Sequence, residues 1–258
     1  MRIATLLFGL LLAFGANAAL VTETVEYRHG GQVFKGYLAY DDTHLERRPG
    51  ILVVPEWWGI NDYVKARAEQ LADMGYLAFV VDMYGDGRVT DDPKRAAQWA
   101  GQVRGTPLMR ERIVAGLEVL RRHALASPQD IAAIGFCFGG GGVLELAYSG
   151  ADVRGVVSFH GNLPALEPRD AARIKARVLV LHGADDPFVK AEEVVAFVEG
   201  MRRAKTDWHM VVYGNAVHAF TNPDADTAGI PGVAYNELAA ERAWGHMQDF
   251  FAEIFTPN

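Results

Sequence analysis

The stretch Gly135-Phe136-Cys137-Phe138-Gly139 constrains this chain more than any other. It follows the apolar run 130–134, which reads as a buried strand, and precedes residues 140–148, which read as a helix. A strand that becomes a helix within a Gly-x-Cys-x-Gly frame passes through a sharp, strained turn that exposes the apex residue in front of the sheet. The turn closes only if the positions two before and two after the apex lack side chains. The new helix directs free N–H groups and the positive end of its dipole at the sulfur, which favours a thiolate and later an oxyanion. Cys137 is the only cysteine in the chain. A lone cysteine is more often a small buried hydrophobe, and it is the flanks that point to a nucleophile.

Strands and helices alternate around this turn. Residues 21–28 and 32–40 alternate polar and apolar side chains about His29-Gly30-Gly31, the pattern of an antiparallel hairpin. Residues 51–54, 76–83, 153–159, 176–181 and 208–213 are short apolar runs expected as strands. Helices are expected over 61–74, 93–103, 107–126, 191–204 and 234–255, with Ser127-Pro-Gln-Asp130 as a turn. In the third of these, Met109, Ile113, Leu117, Leu120 and Ala124 share one face. The expected fold class is α/β: a mainly parallel central sheet with helices on both faces and an N-terminal antiparallel hairpin. The 258 residues, half of them apolar, suffice for one such domain over 19–258.

In parallel sheets chemistry gathers beyond the carboxyl ends of the strands. Pro55-Glu56-Trp57-Trp58-Gly59 follows one strand and Cys137 another. His182-Gly-Ala-Asp185-Asp186 follows a third, and Gly214-Asn-Ala-Val-His218 a fourth. Thiol, acid and imidazole in this chain order suit a triad in which Cys137 attacks, His218 manages its proton and Asp186 orients the imidazole. The backbone N–H groups of Phe138 and Trp57 would form the oxyanion hole. Asp185 is the alternative acid, with the His-Gly-x-x-Asp spacing favouring Asp186. His182 reads as a support at its strand end; for His160, which also follows a strand, a structural role is favoured over lining the pocket. No Gly-x-Ser-x-Gly occurs, so a serine nucleophile has no candidate. Nor is there a His-Glu-x-x-His or a cysteine pair for a metal, and no cofactor is expected. Gly139–Gly142 lacks the Lys-Ser/Thr of a phosphate loop.

The formal charge of −7 and the absence of a basic stripe argue against a nucleic-acid partner. Arg121-Arg122 and Arg202-Arg203 are the densest basic spots, and both fall on helix surfaces. Arg2, the apolar run 3–14 and Ala16-Asn17-Ala18 have the order of a signal peptide cleaved after Ala18. The run is short for a membrane span. The expectation is a secreted or periplasmic protein without stable membrane insertion, a signal anchor being the alternative.

Four segments together resemble the dienelactone hydrolase (carboxymethylenebutenolidase) family: 54–61, 135–140, 182–189 and His218-Ala219-Phe220. The resemblance implies an α/β-hydrolase fold and cleavage of small-molecule carboxylic esters or lactones through Cys137, His218 and Asp186. It also implies that Glu56 pairs with the resting thiol and is displaced when substrate arrives. In that family the histidine is followed by Ser-Phe-x-Arg, whose arginine grips a substrate carboxylate. Here the run is His218-Ala219-Phe220-Thr221-Asn222, so a more apolar substrate is expected, with Trp57, Trp58, Tyr84 and Arg88 as candidate pocket wall. The competing reading is a non-catalytic binding protein on the same fold, in which Cys137 would be inert.

Overall fold

The computed structural model describes residues 20–43 and 45–256, so the expected signal peptide lies outside the described residues. The chain opens with β1 (Leu20–His29) and β2 (Gln32–Asp41), antiparallel and joined at Gly30-Gly31. Both glycines have positive φ (56° and 80°), as the tight two-residue turn between right-twisting strands requires. Next come β3 (Arg48–Val54), α1 (Asp62–Asp73), β4 (Leu77–Val80), α2 (Pro93–Val103) and α3 (Pro107–Arg122). The strand β5 (Ala126–Phe136) leads through Cys137 into α4 (Phe138–Tyr148). The chain then continues through β6 (Gly155–Phe159), α5 (Pro168–Ala171), β7 (Arg177–Gly183), α6 (Ala191–Ala204), β8 (Trp208–Tyr213) and α7 (Glu237–Phe255).

The eight strands form one sheet in the order β1-β2-β4-β3-β5-β6-β7-β8, parallel from β4 to β8. Successive residues of β3 serve opposite faces: Leu52 and Val54 pack with α3 and α4, Ile51 and Val53 with α1 and α7. A strand buried on both sides must be apolar throughout, which is why these runs carry no alternation. Helix starts follow their caps: Asn61 accepts from Val64 N, Asp92 from Lys94 N and Asn236 from Ala239 N.

Among the boundaries that differ from the sequence expectation, four have consequences for the fold. Residues 127–130 belong to β5 rather than to a turn, because a register shift between Arg48 and Gly50 accommodates them beside β3. The helix over 107–126 ends at Arg122, leaving Ala124 exposed beyond it. The last helix begins at Glu237, where Asn236 caps it, rather than at Ala234. Finally, β4 stops at Val80 instead of Met83, and the cause is Asp82.

The Asp82 carboxylate accepts backbone N–H groups of Lys35, Tyr84, Gly85 and Gly87 at 2.8–3.0 Å, folding 82–87 into a loop rather than a strand. Tyr84 in this loop donates its hydroxyl to Trp57 O at 2.9 Å and so props the turn after β3. Replacing Asp82 by alanine would strand four backbone donors. The expected cost is about 3 kcal/mol in a urea titration, and a loss below about 1 kcal/mol would contradict this assignment.

Candidate active site

The elbow forms because β5 and α4 meet with no side chains between them. A Cβ on Gly135 would lie 2.0 Å from Gly139 O, and one on Gly139 would lie 2.1 Å from Val54 O. Cys137 takes φ 53° and ψ −114°, a backbone that residues with side chains rarely adopt. Gly140 N and Gly141 N close on Cys137 O, so the helix is hydrogen-bonded from its first turn. Phe138 N is the first helical N–H group, one of the donors that have no partner within a helix.

The structure brings Cys137, His218 and Asp186 together. His218 Nε2 lies 3.0 Å from Cys137 Sγ, and its Nδ1 lies 2.8 Å from Asp186 Oδ2. The other carboxylate oxygen of Asp186 accepts Phe188 N at 2.9 Å, so its orientation is fixed. Asp185 is exposed and makes no such contact, so Asp186 is the carboxylate that meets the imidazole. Phe188 and His160 stand edge-on to the His218 ring at centroid distances of 5.1 and 5.5 Å. Burial pushes the His218 pKa down, but the neighbouring Cys137 sulfur and the Asp186 hydrogen bond outweigh it and hold the imidazole up to about 10. Such an imidazole is a cation at neutral pH.

Glu56 is 3 % exposed and bonds to Asn222, whose Nδ2 donates to Oε2 at 2.9 Å. Burial lifts its carboxyl to about 7, with His218, Asn222 and Arg67 pulling the other way. The sulfur meets His218 instead, so the thiol–Glu56 pairing implied by the resemblance is not the arrangement seen here. Asn222 occupies the position four residues beyond His218, and that spacing was the signal available for finding it.

A cleft of about 800 Å³ opens over Cys137 and His218. Trp57, Trp58, Phe188 and Ile230 line its apolar walls, while Glu56, Asn222 and Arg104 are among its polar lining residues. Two expected wall residues lie elsewhere. Tyr84 is buried behind Phe138 and Trp57, and Arg88 is exposed with its carbonyl packed against Gly59. Arg104 at the end of α2 supplies the cation, its guanidinium over the Phe138 ring at 5.6 Å. No sequence spacing links Arg104 to the elbow. His182 is buried at the end of β7. Among the described residues no group of three or more His, Cys, Asp or Glu is arranged to hold a metal ion, and no helix is long and apolar enough to cross a membrane.

The sequence model of the dienelactone hydrolase family matches residues 34–255. A solved structure described as a dienelactone hydrolase-like promiscuous phosphotriesterase from metagenomic libraries is 41% identical, with a TM-score of 0.89. The match covers 93% of this chain and 100% of that one. A Bradyrhizobium protein named "probable 2-oxo-3-(5-oxofuran-2-ylidene)propanoate lactonase" is 27% identical over 241 residues, 90% of this chain and 94% of its own. Protein usf of Aquifex pyrophilus is 27% identical over 242 residues, 91% of this chain and 99% of its own.

Proposed function

This chain belongs to the dienelactone hydrolase family of the α/β-hydrolase superfamily, and from that premise we propose that it is an exported hydrolase of carboxylic esters or lactones with Cys137 as its nucleophile. The observation that carries the proposal is the single imidazole of His218, 3.0 Å from the sulfur on one side and 2.8 Å from Asp186 on the other.

The chemistry follows from those two contacts. The Cys137 thiolate adds to the carbonyl carbon, and the carbonyl oxygen becomes an oxyanion that accepts from Phe138 N–H and Trp57 N–H. His218 Nε2–H then protonates the departing alkoxide, leaving a thioester on Cys137 and a neutral imidazole. That imidazole takes a proton from water, the resulting hydroxide adds to the thioester, and the acid leaves as the thiolate re-forms. Asp186 holds the Nδ1–H tautomer and stabilises the imidazolium in both halves. Glu56, a carboxyl at the edge of this charge pair, acts as an auxiliary residue held by Asn222. Esters and lactones are favoured over amides, because thiolate leaves the tetrahedral intermediate more readily than an unprotonated amine. The Trp57, Trp58 and Phe188 walls favour apolar acyl or alcohol portions.

Mature protein assayed on a panel of p-nitrophenyl esters, γ- and δ-lactones and one organophosphate triester tests the substrate class. Acid quench during ester turnover followed by intact mass tests the intermediate. The expected result is a population heavier by one acyl group, mapped to the Cys137 peptide. Turnover with no acylated Cys137 under slow-deacylation conditions would remove the covalent mechanism. Export is supported by the order of charge, apolar run and Ala-Asn-Ala in residues 2–18. Recovery from a periplasmic or culture fraction with an N-terminus at Ala19 is the expected outcome; a cytoplasmic protein that retains Met1 would refute it.

A further inference from the structure

Among the described residues, six non-glycine positions have a left-handed backbone, and three of them lie at this site: Cys137, His160 and Ala219, at φ 53°, 40° and 58°. Such a backbone persists only where its surroundings over-determine it. The elbow accounts for Cys137, and Ala219 directly follows His218. His160 takes no part in the proposed chemistry, yet it is strained and fully buried.

Its contacts account for the strain. His160 N donates to Leu181 O at 2.8 Å, tying the backbone to β7. From there the imidazole reaches the elbow, where Nδ1 accepts the Cys137 N–H at 3.2 Å, a proton shared with Phe159 O at 3.0 Å. An accepting Nδ1 puts the ring proton on Nε2, which lies 2.7 Å from Thr221 Oγ1. Thr221 in turn lies 2.8 Å from the Tyr63 hydroxyl on α1. One buried ring thus touches the backbone of the nucleophile, the loop that carries His218 and, through Thr221 and Tyr63, the helix α1.

We infer that His160 is a positioning residue: by accepting the Cys137 N–H from a ring seated against Thr221 it fixes the elbow and maintains the approach of Cys137 Sγ to His218 Nε2. The inference rests on the reading of Cys137 as nucleophile. It requires an uncharged ring, since protonated Nδ1 would meet the Cys137 N–H donor to donor. The surroundings supply that condition: burial first, then the cationic His218 and Arg67, keep the His160 pKa well below its usual 6.5.

Three variants separate this role from backbone strain. His160→Gly accepts the left-handed backbone but has no acceptor; His160→Asn also tolerates that backbone and places Oδ1 where Nδ1 stood. His160→Gln keeps an amide near Thr221 but moves it away from Cys137 N. His160→Gly and His160→Gln are expected to lose about 10- to 100-fold in kcat with little change in KM, whereas His160→Asn recovers most of the rate. Alkylation of Cys137 by iodoacetamide at a fixed pH should be slower in the Gly and Gln variants, because Sγ is then no longer held at His218 Nε2. Wild-type kcat in His160→Gly, or a His160→Asn no better than His160→Gly, would overturn the inference. If His160→Gly does not fold, the comparison of Asn with Gln decides the matter in the same way. Ester turnover by wild-type protein that survives stoichiometric alkylation of Cys137 would overturn the nucleophile reading as well. A wild type silenced by alkylation beside an indifferent His160→Gly would sink only the positioning role.

Discussion

Cys137→Ala is expected to lower kcat/KM on carboxylic esters by about 10³-fold or more while leaving the circular dichroism unchanged. The size of the loss follows from what remains. The oxyanion donors and the cleft persist, but the atom that forms the thioester is gone, and no other thiol exists in the chain to replace it. Cys137→Ser tests the pairing more finely. The neutral serine hydroxyl no longer holds the extra proton on His218, so the charge pair is lost and an un-ionised alcohol must give up its proton during attack; the expected rate is far nearer to alanine than to wild type. A spectroscopic consequence accompanies the kinetics. The sulfur is the largest of the influences that raise the His218 pKa against the opposing effect of burial, so the titration of His218 in Cys137→Ala moves down from about 10. Asp186→Asn should lower it too, since the Nδ1 partner then loses its charge. An alanine variant that turns over ester at the wild-type rate, or whose His218 titrates unchanged, would contradict the charge-pair account.

The parts of this molecule that could be read in advance are those where local chemistry and tertiary structure ask for the same residue. β3, β6 and β7 are apolar on both faces because helices cover both faces, and α2 begins where Asp92 and Pro93 make a cap and a first turn. Cys137, Asp186 and His218 were legible for a related reason, since each follows the carboxyl end of a strand of the sheet, β5, β7 and β8 respectively. What escaped depends on contacts between distant segments. The truncation of β4 needs Lys35 and three loop amides to converge on Asp82, and nothing near Asp82 in the chain signals Lys35. Arg104 reaches the cleft only because α2 ends beside Phe138. His160 looks like any strand-end histidine until its positive φ turns it toward the elbow. The four-residue α5 and the 3-10 turn at Ala225–Ala228 have too few residues to show a periodicity.

Glu56→Gln is expected to stabilise the protein at alkaline pH while impairing it as an enzyme, and the sign follows from proton linkage. Burial raises the native carboxyl from its ordinary 4.5 to about 7. Between those values the native protein holds a proton that the unfolded chain has released, so stability falls as pH rises through this window and stays low above it. The cost to the wild type at pH 8 is on the order of 3 kcal/mol, the difference between the two pKa values converted at 1.36 kcal/mol per unit. Glutamine has nearly the same shape, retains an oxygen to accept from Asn222 Nδ2 and never ionises. Urea titrations of the two proteins should therefore converge near pH 4 and diverge up to pH 8, with the variant the more stable by about that amount. The same substitution removes the negative charge beside His218, and kcat is expected to fall by about tenfold. A residue that costs stability at working pH yet supports turnover follows the usual exchange between stability and activity at a catalytic site. Equal stability of the two proteins at pH 8, or a difference that does not change with pH, would mean that Glu56 ionises in the native protein as easily as in water, and its role as a buried auxiliary carboxyl would fail with it.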